Sequence, residues 1–94
     1  MPRQDPERLV TDVGRRIAEL RRRAGLTQAD FGRALRSTPQ YVQRLEAGQN
    51  LTLHSLAKIA NALGIAVSEM FVATEYRRPS KAGRPPTKNR RPPP

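Results

Sequence analysis

Most of this chain is divided into short segments that open at a side-chain oxygen and, in several cases, close at a glycine. Such an oxygen accepts a hydrogen bond from the N–H groups left free where a helix starts, and a glycine adopts the left-handed conformation that ends one. Asp5 and Thr38 are each followed by proline, which is best tolerated in the first turn. The predicted N-caps are Asp5, Thr27, Thr38, Thr52 and Ser68, and the predicted terminating glycines are Gly25, Gly48 and Gly64.

Apolar residues recur inside these segments at intervals of three and four, the spacing of one buried stripe on a helix. In chain order they are Val10, Val13, Ile17 and Leu20; Phe31, Ala34 and Leu35; Val42 and Leu45; and Leu53, Leu56, Ile59, Ala60 and Leu63. Ser68, Glu69, Met70 and Phe71 predict one last short helical turn. No strand pattern competes, so we predict an all-α, five-helix bundle.

The chain carries eighteen Lys and Arg against eight Asp and Glu, a net charge of +10 on 94 residues. Such an excess predicts attraction to a polyanion, either nucleic acid or an anionic membrane surface. Because there is no cysteine, neither a disulfide framework nor a cysteine-based metal site is predicted, which fits a reducing cytoplasm. No apolar run has the length of a membrane span or of a signal-peptide core. We therefore expect a cytoplasmic protein.

The positive charge is concentrated at the C-terminal end. Residues 1–74 carry eleven basic and seven acidic side chains, whereas residues 75–94 carry seven basic side chains, one acidic side chain and six of the nine prolines. Prolines remove backbone donors and like charges repel, so little there offsets the entropy of ordering the chain. We predict a flexible N-terminus over residues 1–5, a folded domain over residues 6–74 and a disordered basic, proline-rich tail over residues 75–94.

The tail offers basic side chains for DNA phosphates. Its Gly83-Arg84-Pro85 sequence is similar to the core of an AT-hook, in which an extended arginine enters the narrow minor groove of A·T-rich DNA. Ala82 stands where an arginine usually precedes that glycine, so a generic polybasic tail is favoured over an AT-hook. On either interpretation the predicted contacts are Lys81, Arg84, Lys88, Arg90 and Arg91.

The second and third predicted helices are joined by about three residues, which forces a sharp corner between them. Gly32 is placed where the two helices cross, and only a small residue permits a close approach there. Gln40, Gln43 and Arg44 share the face of the third helix opposite its apolar stripe. Glutamine can pair bidentately with adenine and arginine with guanine in the major groove, so this face is a candidate for reading DNA.

These segments resemble the phage-repressor, or xenobiotic-response-element (XRE), helix-turn-helix family. The matching stretches are RIAELR at 16–21, GLTQADF at 25–31, VQRLEAG at 42–48, LAKIANALGI at 56–65 and SEMF at 68–71. The resemblance implies a five-helix domain that binds operator DNA as a symmetric dimer, in a bacterial or phage-encoded, nucleoid-associated regulator.

The resemblance also implies roles for individual residues. Those that match phosphate-contacting positions are Gln28 and Thr38, and those that match base-facing positions are Pro39, Gln40, Gln43 and Arg44. Arg21 and Glu46 match a structural ion pair beneath the recognition helix.

Several positions leave alternatives open. Arg36 stands where many relatives have a glycine: it either adopts a left-handed conformation at roughly 1–2 kcal/mol, or the turn is shaped differently. Its guanidinium is a candidate phosphate contact. Pro39 cannot read a base by hydrogen bonding, so it contributes only shape. Tyr41 either packs against the domain or donates its hydroxyl to a phosphate. Arg22 and Arg23 either contact phosphates or favour the negative end of the first helix.

The chain shows no nucleophile–base arrangement, metal-ligand cluster or glycine-rich phosphate loop, so we predict neither an enzyme nor a cofactor or metal site. We predict a transcriptional regulator that binds double-stranded DNA through residues 38–47. One alternative is an antitoxin or bridging module that also binds a protein partner. Another is binding of any nucleic acid through charge alone.

The segment after the fourth helix has more apolar side chains than one short turn can bury, namely Val67, Met70, Phe71 and Val72. Two reading helices about 34 Å apart are needed for a palindromic operator. We therefore expect part of this segment, around Met70 and Phe71, to form a two-fold interface in a homodimer.

Overall fold

The computed structural model describes residues 4–73, which form four α-helices and one 3-10 helix, with no strand among them. The elements are α1 (Pro6–Arg23), α2 (Gln28–Ala34), α3 (Pro39–Gly48), α4 (Leu53–Leu63) and the 3-10 helix (Val67–Phe71). The predicted all-α class is confirmed. The predicted tail contacts Lys81, Arg84, Lys88, Arg90 and Arg91 lie outside the described residues.

All four α-helices begin at the predicted caps. The Asp5 carboxylate accepts a hydrogen bond from the Glu7 N–H at 3.1 Å. The hydroxyl oxygens of three threonines each accept one from the N–H three residues along, and these are Thr27, Thr38 and Thr52. Each cap satisfies a donor that the helix itself leaves without a partner, which sets the residue at which the helix starts.

The predicted fifth α-helix is wrong, because residues 67–71 form a 3-10 helix that follows Ala66 without a side-chain cap. Ser68 therefore lies inside the segment rather than before it. Its bonds span three residues, as from the Glu69 N–H to the Ala66 carbonyl at 3.0 Å. A segment of five residues is too short for a stable α-helix, and its position is fixed by packing against α1 and α4.

One core cluster joins all the helices. Its buried members are Ile17, Leu20, Phe31, Val42, Leu45, Leu56, Ile59, Ala60 and Met70. Met70 was expected at a dimer interface but is completely buried in this core, so it is unavailable to a second chain. Ala34 was expected to face inward but is exposed, since the short α2 buries Phe31 and Gly32 instead. Leu53 is 83% exposed because it lies in the first turn of α4, at the edge of that helix's buried stripe.

Two glycines allow the helices to approach closely. A Cβ on Gly32 would lie 2.9 Å from the Thr38 carbonyl carbon, which is the predicted crossing of α2 with the start of α3. A Cβ on Gly14 would lie 2.7 Å from the Leu45 carbonyl oxygen, where α1 packs against α3. The atoms in the way are backbone atoms, which cannot move aside as a side chain can. Glycine at these positions therefore sets how near α3 lies to its two neighbours.

The turn between α2 and α3 contains the single non-glycine residue of positive φ among residues 4–73. Arg36 has a φ of 56°, and its N–H donates to the Arg33 carbonyl at 2.9 Å. The Ser37 N–H donates to the Gly32 carbonyl at 2.7 Å, so the turn is closed by hydrogen bonds on both sides of the strained residue. Of the two alternatives for Arg36, the structure shows the left-handed one.

Replacing Arg36 by glycine should relieve this strain, whereas replacing it by alanine should not. We expect Arg36→Gly to be more stable than Arg36→Ala by about 1 kcal/mol, because both lose the guanidinium and glycine alone tolerates positive φ. Urea unfolding followed by far-UV circular dichroism measures the difference. Equal stabilities for the two variants would contradict the left-handed turn.

Candidate nucleic-acid interface

Helix α3 has one buried face and one exposed face. Val42 and Leu45 are completely buried in the core, whereas Gln40, Gln43 and Arg44 are exposed on the other side. Their spacing of three and four residues places these long hydrogen-bonding side chains on one stripe of the helix surface. α3 therefore presents polar side chains on one side while Val42 and Leu45 hold its other side in the core.

An ion pair ties α1 to the C-terminal half of α3. Arg21 Nε donates to Glu46 Oε2 at 2.5 Å, and Arg21 Nη2 donates to Glu46 Oε1 at 3.3 Å. The two side chains are only 11% and 9% exposed. A third bond runs from Arg21 Nη1 to the Leu26 carbonyl at 2.8 Å, in the loop between α1 and α2. One guanidinium thus joins α1, that loop and α3.

Gln28 extends this ion pair to the exposed face of α3. Gln28 Nε2 donates to Glu46 Oε1 at 3.1 Å, and Gln43 Nε2 donates to Gln28 Oε1 at 3.4 Å. The amide of Gln28 is therefore oriented by a buried carboxylate, and it in turn contacts one of the candidate base-reading side chains. The predicted phosphate contact at Gln28 and the predicted base contact at Gln43 lie side by side.

Other predicted site residues surround the N-terminus of α3. The Thr38 hydroxyl caps the helix by accepting a bond from the Tyr41 N–H at 3.1 Å, and Pro39 is half-buried at the first helical position. The Tyr41 ring is half-buried against the core, and the Arg44 guanidinium lies 5.9 Å from its centroid. This distance permits a cation–π contact between the two side chains.

The predicted basic residues outside α3 are exposed. Arg36 projects from the strained turn, and Arg22 and Arg23 occupy the last turn of α1. Arg23 Nη2 lies 3.5 Å from Glu19 Oε2, four residues earlier on the same helix. Cations in the last turn of a helix favour its negative end, so the position of Arg22 and Arg23 is compatible with either of their predicted roles.

The start of α2 is fixed by a reciprocal cap. The Thr27 hydroxyl accepts from the Asp30 N–H at 2.9 Å, and the Asp30 carboxylate accepts from the Thr27 N–H at 3.1 Å. The bond from the Thr27 backbone is the main cause that lowers the pKa of Asp30 below its ordinary value of 3.8. The stability that this bond to ionised Asp30 gives the folded domain is therefore present above pH 3.8, the ordinary pKa. It is lost as the pH falls through the lowered pKa.

Sequence reasoning assigned no role to Arg16, although its side chain is one of two cationic side chains buried among residues 4–73. It pairs with Glu19 on α1 and with Glu69 in the 3-10 helix. The sequence did contain a signal for this burial, since Arg16 follows Val13 by three residues and so falls on the apolar stripe of the first helix. A charged residue on a buried stripe indicates a buried ion pair.

Neither a metal-ion cluster nor a membrane-spanning helix is found in the described part of the chain. Within residues 4–73 no three or more acidic or histidine side chains are grouped so that they could hold a metal ion. None of the helices found there is long and apolar enough to cross a membrane.

A short helix that turns sharply into a second, outward-facing helix defines a helix-turn-helix protein. Residues 17–70 match the family model described as helix-turn-helix. An uncharacterized HTH-type transcriptional regulator of Sinorhizobium fredii, y4dJ, is 38% identical over 64 residues, which are 67% of this chain and 83% of that protein. The chain therefore belongs to the XRE-type helix-turn-helix family of DNA-binding transcriptional regulators.

Two solved structures are similar over most of the described residues. The restriction-modification controller protein C.AhdI from Aeromonas hydrophila matches with a TM-score of 0.67 and 32% identity, covering 72% of this chain and 100% of that one. The clp gene regulator ClgR from C. glutamicum matches with a TM-score of 0.64 and 28% identity, covering 67% of this chain and 82% of that one. Both similarities agree with the family assignment.

Breaking the Arg21–Glu46 pair should destabilise the whole domain. Arg21→Met leaves a buried carboxylate without its cation, so we expect a loss of about 3–5 kcal/mol in the free energy of unfolding. Adding Glu46→Leu should restore much of this loss, because the second change removes the uncompensated charge. Urea unfolding of Arg21→Met, of Glu46→Leu and of the double variant measures these effects.

The matched control is Arg22→Met, which removes the exposed arginine next in sequence. It should change stability by no more than about 0.5 kcal/mol. A small effect of Arg21→Met, or single effects that simply add in the double variant, would contradict a coupled buried pair.

Proposed function

We propose that this protein binds specific sequences in double-stranded DNA as a homodimer and thereby regulates transcription, with α3 in the major groove. Family membership supports regulation of transcription, and the geometry of α3 supports this mode of binding. The observation that carries the proposal is the exposed stripe of Gln40, Gln43 and Arg44 on a helix whose opposite side is held in the core by the completely buried Val42 and Leu45. Such side chains match the donor and acceptor patterns of adenine and guanine edges.

Anchoring of α3 favours reading of sequence over binding by charge alone. The Arg21–Glu46 pair fixes the C-terminal half of the helix, and Gln28 contacts both Glu46 and Gln43. A base contact discriminates only when its side chain is held in a limited set of positions, because a freely moving arginine or glutamine can adapt to several bases. The network therefore supports a specific role for Gln43 in particular.

Phosphate contacts would orient the domain on DNA. We assign them to residues around the reading helix, namely Gln28, Thr38, Arg36, Tyr41, Arg22 and Arg23. For Arg36 the assignment has a physical reason. An exposed cation occupies a strained position beside the start of α3, where glycine would be more stable. The basic residues of the tail would add contacts that do not depend on sequence.

A two-fold interface would place a second reading helix one helical turn away along the duplex. With Met70 buried, the apolar side chains available near it are Val67, Phe71 and Val72, which are 37%, 53% and 49% exposed. We assign the homodimer to this set, which is called the dimer surface below. It is small, so a reversible monomer–dimer equilibrium is expected.

Arg44→Ala and deletion of residues 77–94 should weaken binding in different ways. Arg44→Ala should cost about 1–3 kcal/mol on the cognate duplex and relax preference at one or two base pairs. Deletion of the tail should weaken binding to all sequences alike, and each phosphate that the tail no longer neutralises should reduce the slope of log affinity against log salt by about 0.9. Fluorescence anisotropy on cognate, scrambled and A·T-flanked duplexes at two salt concentrations separates the two effects.

Arg8→Ala provides the control for removal of one charge, since Arg8 is exposed near the start of α1. It should leave sequence preference intact. If Arg44→Ala weakens every duplex equally, Arg44 does not read bases and the assignment fails. If tail deletion affects A·T-flanked duplexes most, the tail acts as a minor-groove hook rather than as a generic polybasic segment.

A further inference from the structure

Arg16 is only 4% exposed, and three of its bonds are directed at two elements. Its Nη1 donates to Glu19 Oε1 at 2.8 Å within α1. Its Nε donates to the main-chain carbonyl of Glu69 at 2.7 Å, and its Nη2 donates to Glu69 Oε1 at 3.1 Å. Arg16 thus joins α1 to the 3-10 helix, 53 residues further along the chain.

The Glu69 carbonyl is where Arg16 meets the dimer surface. The same oxygen accepts from the Val72 N–H at 3.4 Å, so two donors converge on it from α1 and from the end of the 3-10 helix. Met70, the next residue, is completely buried, while Phe71 is 53% exposed. Met70 therefore holds the 3-10 helix by apolar packing, and Arg16 holds it by hydrogen bonds. The direction of its exposed side chains depends on both interactions.

We propose that Arg16 is a positioning residue for self-association: it fixes the 3-10 helix so that Phe71 and Val72 face a second copy of the chain. This inference rests on the homodimer proposed above. Burying a cation is unfavourable compared with a packed apolar side chain, so stability alone does not explain Arg16. A planar guanidinium, by contrast, sets both distance and direction when it bonds a carbonyl and a carboxylate of one residue together.

Two substitutions in the full chain test this role. Arg16→Met keeps an apolar stem and removes the fork, and Arg16→Lys keeps the charge beside Glu19 but cannot bond both oxygens of Glu69 in the same plane. Sedimentation equilibrium well below the melting temperature gives the dimer dissociation constant. We expect this dissociation constant to rise about tenfold for either variant. An effect of this size is typical of a residue that acts on an interface through an intervening structural element.

DNA binding and hydrogen exchange separate positioning from general destabilisation. The probes are a palindromic duplex selected from random sequence and the same duplex with one half scrambled. The Arg16 variants should bind the scrambled-half duplex as the wild type does and should lose affinity for the intact palindrome. The Val72 amide should exchange faster in Arg16→Lys, while core amides such as that of Leu45 should not change.

Arg8→Met is the matched control, because it removes one exposed charge from the same helix and should leave the dimer dissociation constant unchanged. If Arg16→Met does not fold, Arg16→Lys decides the question by itself. Wild-type dimerisation with no change in either Arg16 variant would overturn the positioning role and leave the proposed function standing. A wild-type chain that is monomeric both free and on DNA would instead overturn the proposed homodimer.

Discussion

The Arg21–Glu46 ion pair is the interaction on which the placement of α3 depends. It connects α1, the loop before α2 and α3 through one guanidinium, and its carboxylate also holds Gln28. Gln28 in turn contacts Gln43 on the exposed face. A buried ion pair contributes little net stability compared with apolar packing, but its geometry is specific. Here that geometry determines where α3 lies and how one of its exposed side chains is oriented.

Close backbone contacts, together with the ion pair, set the position of α3 against α1 and α2. Gly14 and Gly32 let α3 approach α1 and α2 to distances that any Cβ would prevent. The strained Arg36 lies in the connection that leads into α3. Glycine would tolerate this conformation with less strain than arginine but would offer no charge, which is why a phosphate contact is proposed for Arg36. Packing on one side of α3 and the hydrogen bonds that close the turn before it both favour a fixed arrangement of its exposed face.

Local signals predicted the helices well, and long-range contacts account for what they missed. Thr27 and the other capping residues mark helix starts because the bond that sets each start lies within three residues. The last segment could not be read this way, because Met70 and the distant Arg16 fix it rather than a cap. The role of Gly14 was likewise hidden, since the backbone it touches is more than thirty residues away. The exposure of Gln40 followed from helical spacing alone.

Selection of bound duplexes from a random DNA library decides whether two anchored α3 helices read DNA together. If they do, the library should be enriched in an inverted repeat whose half-sites have centres about 10 base pairs apart, with adenine or guanine at the positions facing Gln40, Gln43 and Arg44. Enrichment of no motif, with equal binding to any duplex, would contradict joint reading and would favour attraction through charge alone.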